Sequence, residues 1–423
     1  MSELVVFHLA AENWPFSLEY LPQPVYMVGG AVRDAILGRV REYMDLDFII
    51  PVDAVKVARK ISQAYHAGFV LLDAQRQIAR VVFPEGTADF AQQDGGSLMT
   101  DLYRRDFTIN AIAYNPHTQE IIDPLNGYQD LESGLLRMIS PVNLENDPLR
   151  LMRAYRQAAQ LNFTIEPATQ KTIRSLAKSI TQVAAERVRV EIGYLLANSQ
   201  GTFWLNNAWK DGVLINLFKN ATDESFLNLK AVDEAYAVIS QNWQQLGEEL
   251  TNYVRETVKT SWLSVVKLAC LVDSKPENAE IELQELTYSR AEIRGVTTAL
   301  RLFAALKELN IPLRKQYFLF REMGILFPAV LVLALANDIV AKGRFEESML
   351  VTYQPLIKRY LNSNDVVAHP TPLLNGKEMM TALQLPASPL IGELLMEVGV
   401  AQAEGKISTV ESAIEFAKNL VQN

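Results

Sequence analysis

The sequence predicts an α+β protein, with a mixed α/β head to about residue 140 followed by a long all-helical arm. Two observations carry that expectation. In the first third, short apolar runs alternate with an amphipathic stretch, as strands interleaved with a helix do. After Asp147 the apolar spacing turns helical almost to the end. Size adds a third, because 423 residues exceed one ordinary core and imply two or more domains.

In chain order, Val25–Val28 reads as a short apolar strand and Asp45–Ile50 as a second. Asp53–Tyr65 has the spacing of an amphipathic helix, and Phe69–Leu72 and Ile78–Phe83 follow as strands. Ala111–Tyr114 and Glu120–Asp123 read as a hairpin around Asn115-Pro116. Helices are expected beyond Asp147. Asn362–Gly376, which contains His369-Pro370-Thr371-Pro372, reads as a linker before a last helical unit.

Hydrophobic residues at 49% and charged residues at 21% describe a soluble globular protein. The single cysteine, Cys270, lies in an apolar helical run and is expected to be a core thiol in a reducing compartment. With no run of about 18 apolar residues and no basic, then apolar, start at Met1-Ser2-Glu3-Leu4, a cytoplasmic protein without membrane contact is expected. The net charge of −9 argues against indiscriminate binding to nucleic acid. Between Asp147 and Arg189, however, Arg150, Arg153, Arg156, Lys171, Arg174, Lys178, Arg187 and Arg189 face only Asp147, Glu166 and Glu186. That window suits a confined phosphate-handling site.

Three short pieces in the head carry chemistry. Gly29-Gly30, directly after a strand and before a helix at Ala31–Leu37, exposes backbone N–H groups able to cradle phosphate, and Arg33 on the first turn adds a charge-assisted contact. Alone, such a pair marks a plain turn. Asp45 and Asp47 alternate about Leu46, which puts both carboxylates on one strand face, an oxygen-rich arrangement that selects Mg²⁺. Asp89 is a candidate third carboxylate from a neighbouring strand, helping to deprotonate an attacking hydroxyl in a two-metal site. In Arg104-Arg105-Asp106-Phe107-Thr108-Ile109-Asn110-Ala111, a nucleotide-contacting segment that includes Asp106, Arg105 is assigned to a triphosphate and Asn110 to a sugar. Asp123-Pro124-Leu125-Asn126-Gly127 is a turn with a structural role.

At Asp147 a helix begins, with Pro148 in its first turn and Asp147 as N-cap. Arg150, Arg153 and Arg156 recur every three residues along one slowly rotating face. Asp147 and Arg150, one turn apart, offer an acceptor beside a donor, which complements the cytosine edge without any nucleic-acid template.

These pieces resemble the class II tRNA nucleotidyltransferases, the family of the CCA-adding enzymes and bacterial poly(A) polymerases. The similarity lies in GGAVRD at 29–34, DLD at 45–47, RRDFTINA at 104–111, DPLNGYQDL at 123–131, DPLRLMRAYRQAAQL at 147–161 and AERVRVEI at 185–192, and it thins beyond 200. The resemblance implies a nucleotidyltransferase-fold head at 1–140, a base-recognising neck at 141–200, a helical body at 201–362 and a tRNA-binding tail at 363–423, in an elongated arrangement that grips the tRNA acceptor arm. It implies Asp45 and Asp47 as Mg²⁺ ligands, with Gly30, Arg33, Arg105, Asp147, Arg150, Arg153 and Arg156 touching the nucleotide.

Two departures refine the expectation. The base-reading motif begins Asn146-Asp147 where the family has Glu-Asp. Only Ala91–Tyr103 separates the Asp89 strand from Arg104, so the flexible loop of CCA- and A-adding members is missing. That deletion resembles the CC-adding subtype, which uses CTP and leaves the final A to a separate enzyme. A complete CCA- or A-adding enzyme using ATP is the nearest alternative. A poly(A) polymerase lacks support because its Gly-[Arg/Lys]-[Arg/Lys]-Phe stretch is not present before Asp45. An RNA-binding scaffold without activity would have no need of the carboxylate pair.

Overall fold

The computed structural model describes residues 9–39, 43–51, 53–255 and 260–422. The chain divides into two compact units, Met1–Leu217 and Phe218–Asn423. In the first, seven strands form one sheet: β1 (Tyr26–Val28), β2 (Met44–Ile50), β3 (Gly68–Asp73), β4 (Ile78–Phe83), β5 (Gly86–Gln92), β6 (Ala113–Asn115) and β7 (Glu120–Ile122), in the order β3-β4-β5-β2-β1-β6-β7. β2 and β5 run parallel, whereas β1 is antiparallel to both β2 and β6.

The period-2 alternation of β2 decides what each face of the sheet does. Leu46, Phe48 and Ile50 are buried on one face, where Phe48 stacks on Phe90 of β5 with ring centroids 5.4 Å apart and Trp14 packs edge-on at 5.0 Å. Asp45 and Asp47 occupy the other face. The helices α1 (Gly30–Ile36) and α2 (Ala54–Tyr65) pack on the sheet, as the amphipathic spacing of 53–65 anticipates.

Ala91–Tyr103 is more ordered than a plain connector. It holds a short turn at Asp94–Gly96 and a helix, α3 (Leu98–Tyr103), capped by Ser97, whose hydroxyl accepts the Thr100 N–H. Leu102 drops into a core with Val28, Ile49 and Ala111. Beyond the sheet come α4 (Gly127–Glu132), α5 (Pro141–Asn146), α6 (Leu149–Leu161), α7 (Pro167–Leu176), α8 (Ala185–Ala197) and α9 (Gly201–Lys210). The sequence reading starts a new domain at 201, yet α9 packs on α6 and α8 and lies in the first unit. Leu205 and Ala208 are buried in that packing, and Asp211 at its end is a buried carboxylate that accepts from Tyr155, Gln170 and Arg174.

The second unit is helical apart from a short pair, Tyr253–Arg255 with Thr260–Ser261. Its central helix, Phe327–Lys342, packs against Asp223–Asn242 and is buried along its whole first half. The continuous run Leu313–Lys342 is long and apolar enough to cross a membrane, which corrects the expectation that no such stretch exists. With 72% of its apolar window buried, it has the packing of a core helix. Cys270 is buried as expected, and burial pushes its thiol up to about 12 despite nearby Lys267. Residues 362–375 lack helix or strand but bury Val367, Ala368 and Leu374, so the stretch is packed rather than loose. Gly376–Leu383, Pro389–Ala403 and Val410–Gln422 share a separate small core around Met379, Leu394, Val398 and Ala413.

Candidate active site

Strand register builds the carboxylate face. In the parallel β2–β5 pair, Asp45 lies beside Thr87 and Asp47 beside Asp89. The Thr87 hydroxyl donates to Asp45 Oδ1 at 3.0 Å. Burial, with Asp45 and then Asp89 nearby, pushes the Asp47 carboxyl up to about 7, and Arg105 and Arg80 only partly offset this. Such crowding of anions is what a cation relieves. Among the described residues, no group of three or more His, Cys, Asp and Glu side chains is placed to hold a metal ion. Two carboxylates still fit Mg²⁺, which takes one or two from protein and the rest of its oxygens from substrate phosphates and water.

Asp89 is where the register expects it, beside Asp47, and it carries an ion pair of its own. Arg80, opposite it on β4, donates to both its oxygens at 2.6 and 2.8 Å. The expected third carboxylate is thus present on the neighbouring strand, in an ion pair with Arg80. To accept a proton, Asp89 would first have to break a two-pronged ion pair.

The Gly29-Gly30 turn sits directly over the carboxylates. Gly29 has φ +74° and ψ −137°, a conformation that favours glycine, and a Cβ there would come 3.1 Å from Asp47 Oδ2 and 3.6 Å from Arg105 Nη1. The backbone at Gly29 therefore passes close to both a carboxylate and a guanidinium, leaving little room for a side chain. Arg105 is only loosely held, through Asp101 at 3.3 Å and the Asn110 carbonyl at 3.5 Å, and its buried Nε has no hydrogen-bond partner. A loosely held guanidinium beside a backbone cradle suits a triphosphate oxygen.

Arg33, Asp106 and Asn110 occupy a different place from the one expected. Arg33 is 8% exposed and its guanidinium turns inward, to Asp34 and to Asn110 Oδ1 at 2.9 Å. Asn110 Nδ2 donates to Asp106 and to Gln157, at 2.9 Å each. With both amide hydrogens spent, Asn110 braces Arg33, Asp106 and Gln157 beneath the site. Asp106 is the hub. Burial alone would raise its pKa, but Arg153, Asn110 and the Phe107 N–H hold its carboxyl well below the usual range. Gln157, 2% exposed, is a member of this network that the sequence reading missed.

The arginine ladder of α6 is likewise met by acids. Arg153 pairs with Asp106 at 2.8 Å, and Arg156 pairs with Glu191 of α8 and lies over the Tyr194 ring. Arg150 and Asp147 come together at 4.0 Å, and Arg187 approaches the same carboxylate at 3.3 Å. The helix starts at Leu149 with Pro148, not Asp147, at its N-cap, which corrects the expected cap by one residue; Asp147 accepts the Leu149 N–H at 3.3 Å from just before it. Three cations of the basic window, Arg153, Arg156 and Arg174, are met from outside it, by Asp106, Glu191 and Asp211.

The 123–131 turn has the structural role assigned to it. Asp123 accepts the Gly127 and Tyr128 N–H groups at 2.8 and 2.9 Å. Asp130 accepts the Thr108 hydroxyl at 2.7 Å, which fixes the 104–111 segment from below. A Cβ on Gly127 would collide with the Thr108 carbonyl.

Comparison with known proteins adds identity to this geometry. Residues 25–93 and 73–137 match the poly(A) polymerase head domain, 162–224 a probable RNA- and SrmB-binding site of polymerase A, and 256–417 a putative domain 2 of tRNA nucleotidyltransferase. The chain is 46% identical over 419 residues to a CC-adding tRNA nucleotidyltransferase of Synechocystis sp., covering 98% of each chain. It is 30% identical to an A-adding tRNA nucleotidyltransferase of Deinococcus radiodurans, over 94% of this chain and 95% of that one. A solved structure of a CCA-adding enzyme with ATP shares the fold, with a TM-score of 0.69 and 20% identity, over 93% of this chain and 90% of that one.

Proposed function

The chain belongs to the class II tRNA nucleotidyltransferase and poly(A) polymerase family, and from that premise we propose that it adds two cytidines to the 3′ end of tRNA, consuming CTP and releasing pyrophosphate. The observation that carries the CC assignment is the 46% identity, along nearly the whole of both chains, to a CC-adding enzyme. The short span from Ala91 to Tyr103 supports it, because a turn and α3 fill it and leave no long mobile loop.

Asp45 and Asp47 would hold Mg²⁺, which when bound supplies Lewis acidity for the attacking hydroxyl and the leaving pyrophosphate. The chain's own groups do the rest. The Gly29-Gly30 turn and the Arg105 guanidinium, whose Nη1 lies beside Gly29, receive the triphosphate. Thr87 steadies Asp45, and the Asp106 network keeps Arg153 in place. The tRNA 3′-oxygen then bonds to the α-phosphorus while the bond to the β-phosphate oxygen breaks.

Asp147 and Arg150 read the base edge. Replacing either by Ala is expected to reduce the preference for CTP over UTP by about 1–3 kcal/mol, roughly 5- to 150-fold. In Asp147→Ala, triphosphate affinity should change far less. Unaltered nucleotide choice in both variants would exclude the pair as the reader.

The function itself is tested by extending tRNA transcripts that end at the discriminator base, at C or at CC, with CTP, ATP or both. Two added cytidines and no growth with ATP are expected, leaving the last nucleotide to a separate A-adding enzyme. A terminal A added to the CC transcript would overturn the assignment.

A further inference from the structure

The last carbonyls of a helix have no partners within it and must find them elsewhere. In α3 the Asp101 and Leu102 carbonyls take the Arg104 and Arg105 N–H groups, but the Tyr103 carbonyl and the two carbonyls that follow the helix find their partners in the neck. Asn143 Nδ2 donates to both the Tyr103 and the Arg105 carbonyl, at 2.8 Å each. Arg150 Nη1 donates to the carbonyl between them, that of Arg104, at 2.8 Å, and to the Asn143 carbonyl at 3.1 Å. Three consecutive carbonyls are thus gripped by two side chains, one from α5 and one from the first turn of α6.

Asn143 is suited to this task. It is 8% exposed, both hydrogens of its amide are spent on the grip, and its own N–H is capped by Ser140 Oγ at 3.3 Å. The gripped stretch carries Arg105, the triphosphate group. The gripping stretch carries Asp147 and Arg150, the base-edge groups. We propose that Asn143 is a specificity-determining positioning residue, which locks the triphosphate-binding segment to the base-reading helix at one separation matched to a pyrimidine. This rests on the reading that Asp147 and Arg150 recognise the base.

The physical reason is one of reach. A purine places its readable edge farther from the triphosphate than a pyrimidine does, by the width of a fused ring. If both anchors are fixed, only one ring size brings the base edge to Asp147 and Arg150 with the α-phosphate in position. A misplacement of about 1 Å costs on the order of 10²-fold in rate. C-versus-A choice is then set by the separation, and C-versus-U choice by the edge donors and acceptors.

That division gives the test. Single-turnover incorporation of CTP, UTP and ATP is measured on tRNA ending at the discriminator base, for wild type, Asn143→Ala, Asn143→Gln and Asp147→Ala. Asn143→Ala is expected to lower C-over-A discrimination roughly tenfold or more. Its C-over-U discrimination should stay within about twofold, whereas Asp147→Ala should do the reverse. Asn143→Gln, which keeps the amide on a longer arm, should give a smaller loss on the C-over-A axis. If Asn143→Ala is too unstable to assay, the Gln variant decides alone.

Unchanged C-over-A discrimination, with only a general fall in rate or melting temperature, would overturn the proposal and leave Asn143 a structural residue. Unchanged C-over-U discrimination in Asp147→Ala would instead overturn the base-reading assignment on which the proposal stands.

Discussion

Asp45→Asn is expected to lower transfer of CMP to tRNA by about 10³-fold or more, the equivalent of several kcal/mol of lost charge stabilisation. Asn keeps the size of the side chain and can still pair with the Thr87 hydroxyl, which donates to Asp45 Oδ1 in the native protein. What it loses is the anion. Asp45 is exposed on its strand face, so the fold has little at stake, and the melting temperature should be nearly unchanged. Binding of tRNA, measured separately by filter retention, should also persist. Mn²⁺ binding, followed by electron paramagnetic resonance, should weaken in step with activity. Transfer at wild-type rate in this variant would mean that the metal is held elsewhere.

The second large effect is on the fold as well as the chemistry. Asp106→Asn removes the charge from a fully buried carboxylate that pairs with Arg153 and accepts from Asn110 and the Phe107 N–H. Breaking one side of such a pair costs about 3 kcal/mol, or roughly 6–12 °C in the melting temperature of a unit this size. The pH dependence has a definite sign. A carboxyl held below its ordinary value stabilises the fold above its unfolded pKa of about 3.9, and that stabilisation is lost as pH falls below it. The gap between wild type and variant should therefore be constant at neutral pH and close below about pH 4. A gap that widens on acidification would contradict an ionised Asp106.

Much of this was legible in the sequence where one local period dominates. Asp45-Leu46-Asp47 could be placed on a strand face because alternation alone decides it, and Asp53–Tyr65 because its apolar residues share one side. Ser97, followed three residues later by Thr100, was a readable start signal for α3, but it was passed over inside a stretch taken as a connector. The partners of the arginines were not legible. Arg156 meets Glu191 and Arg174 meets Asp211, across 35 and 37 residues, and no local pattern announces a pairing of that span. For the same reason Asn110 was assigned to a sugar when its amide is in fact shared among Arg33, Asp106 and Gln157. The first unit extends past 201 because α9 buries Leu205 and Ala208 in its packing on α6 and α8, and Asp211 at its end accepts from Tyr155, Gln170 and Arg174, pairings no local pattern announces.

The parallel pairing of β2 with β5 also bears on how the molecule comes into being. Asp45 finds Thr87 across 42 residues, Arg153 finds Asp106 across 47, and Arg33 finds Asn110 across 77. Each of these closes a long loop before it returns any energy, and such contacts form late and slowly. During synthesis the carboxylate face therefore waits for β5 to emerge, and its bracing network for α6. The site is therefore braced only once α6 has docked, which makes its assembly a late event in the folding of the first unit.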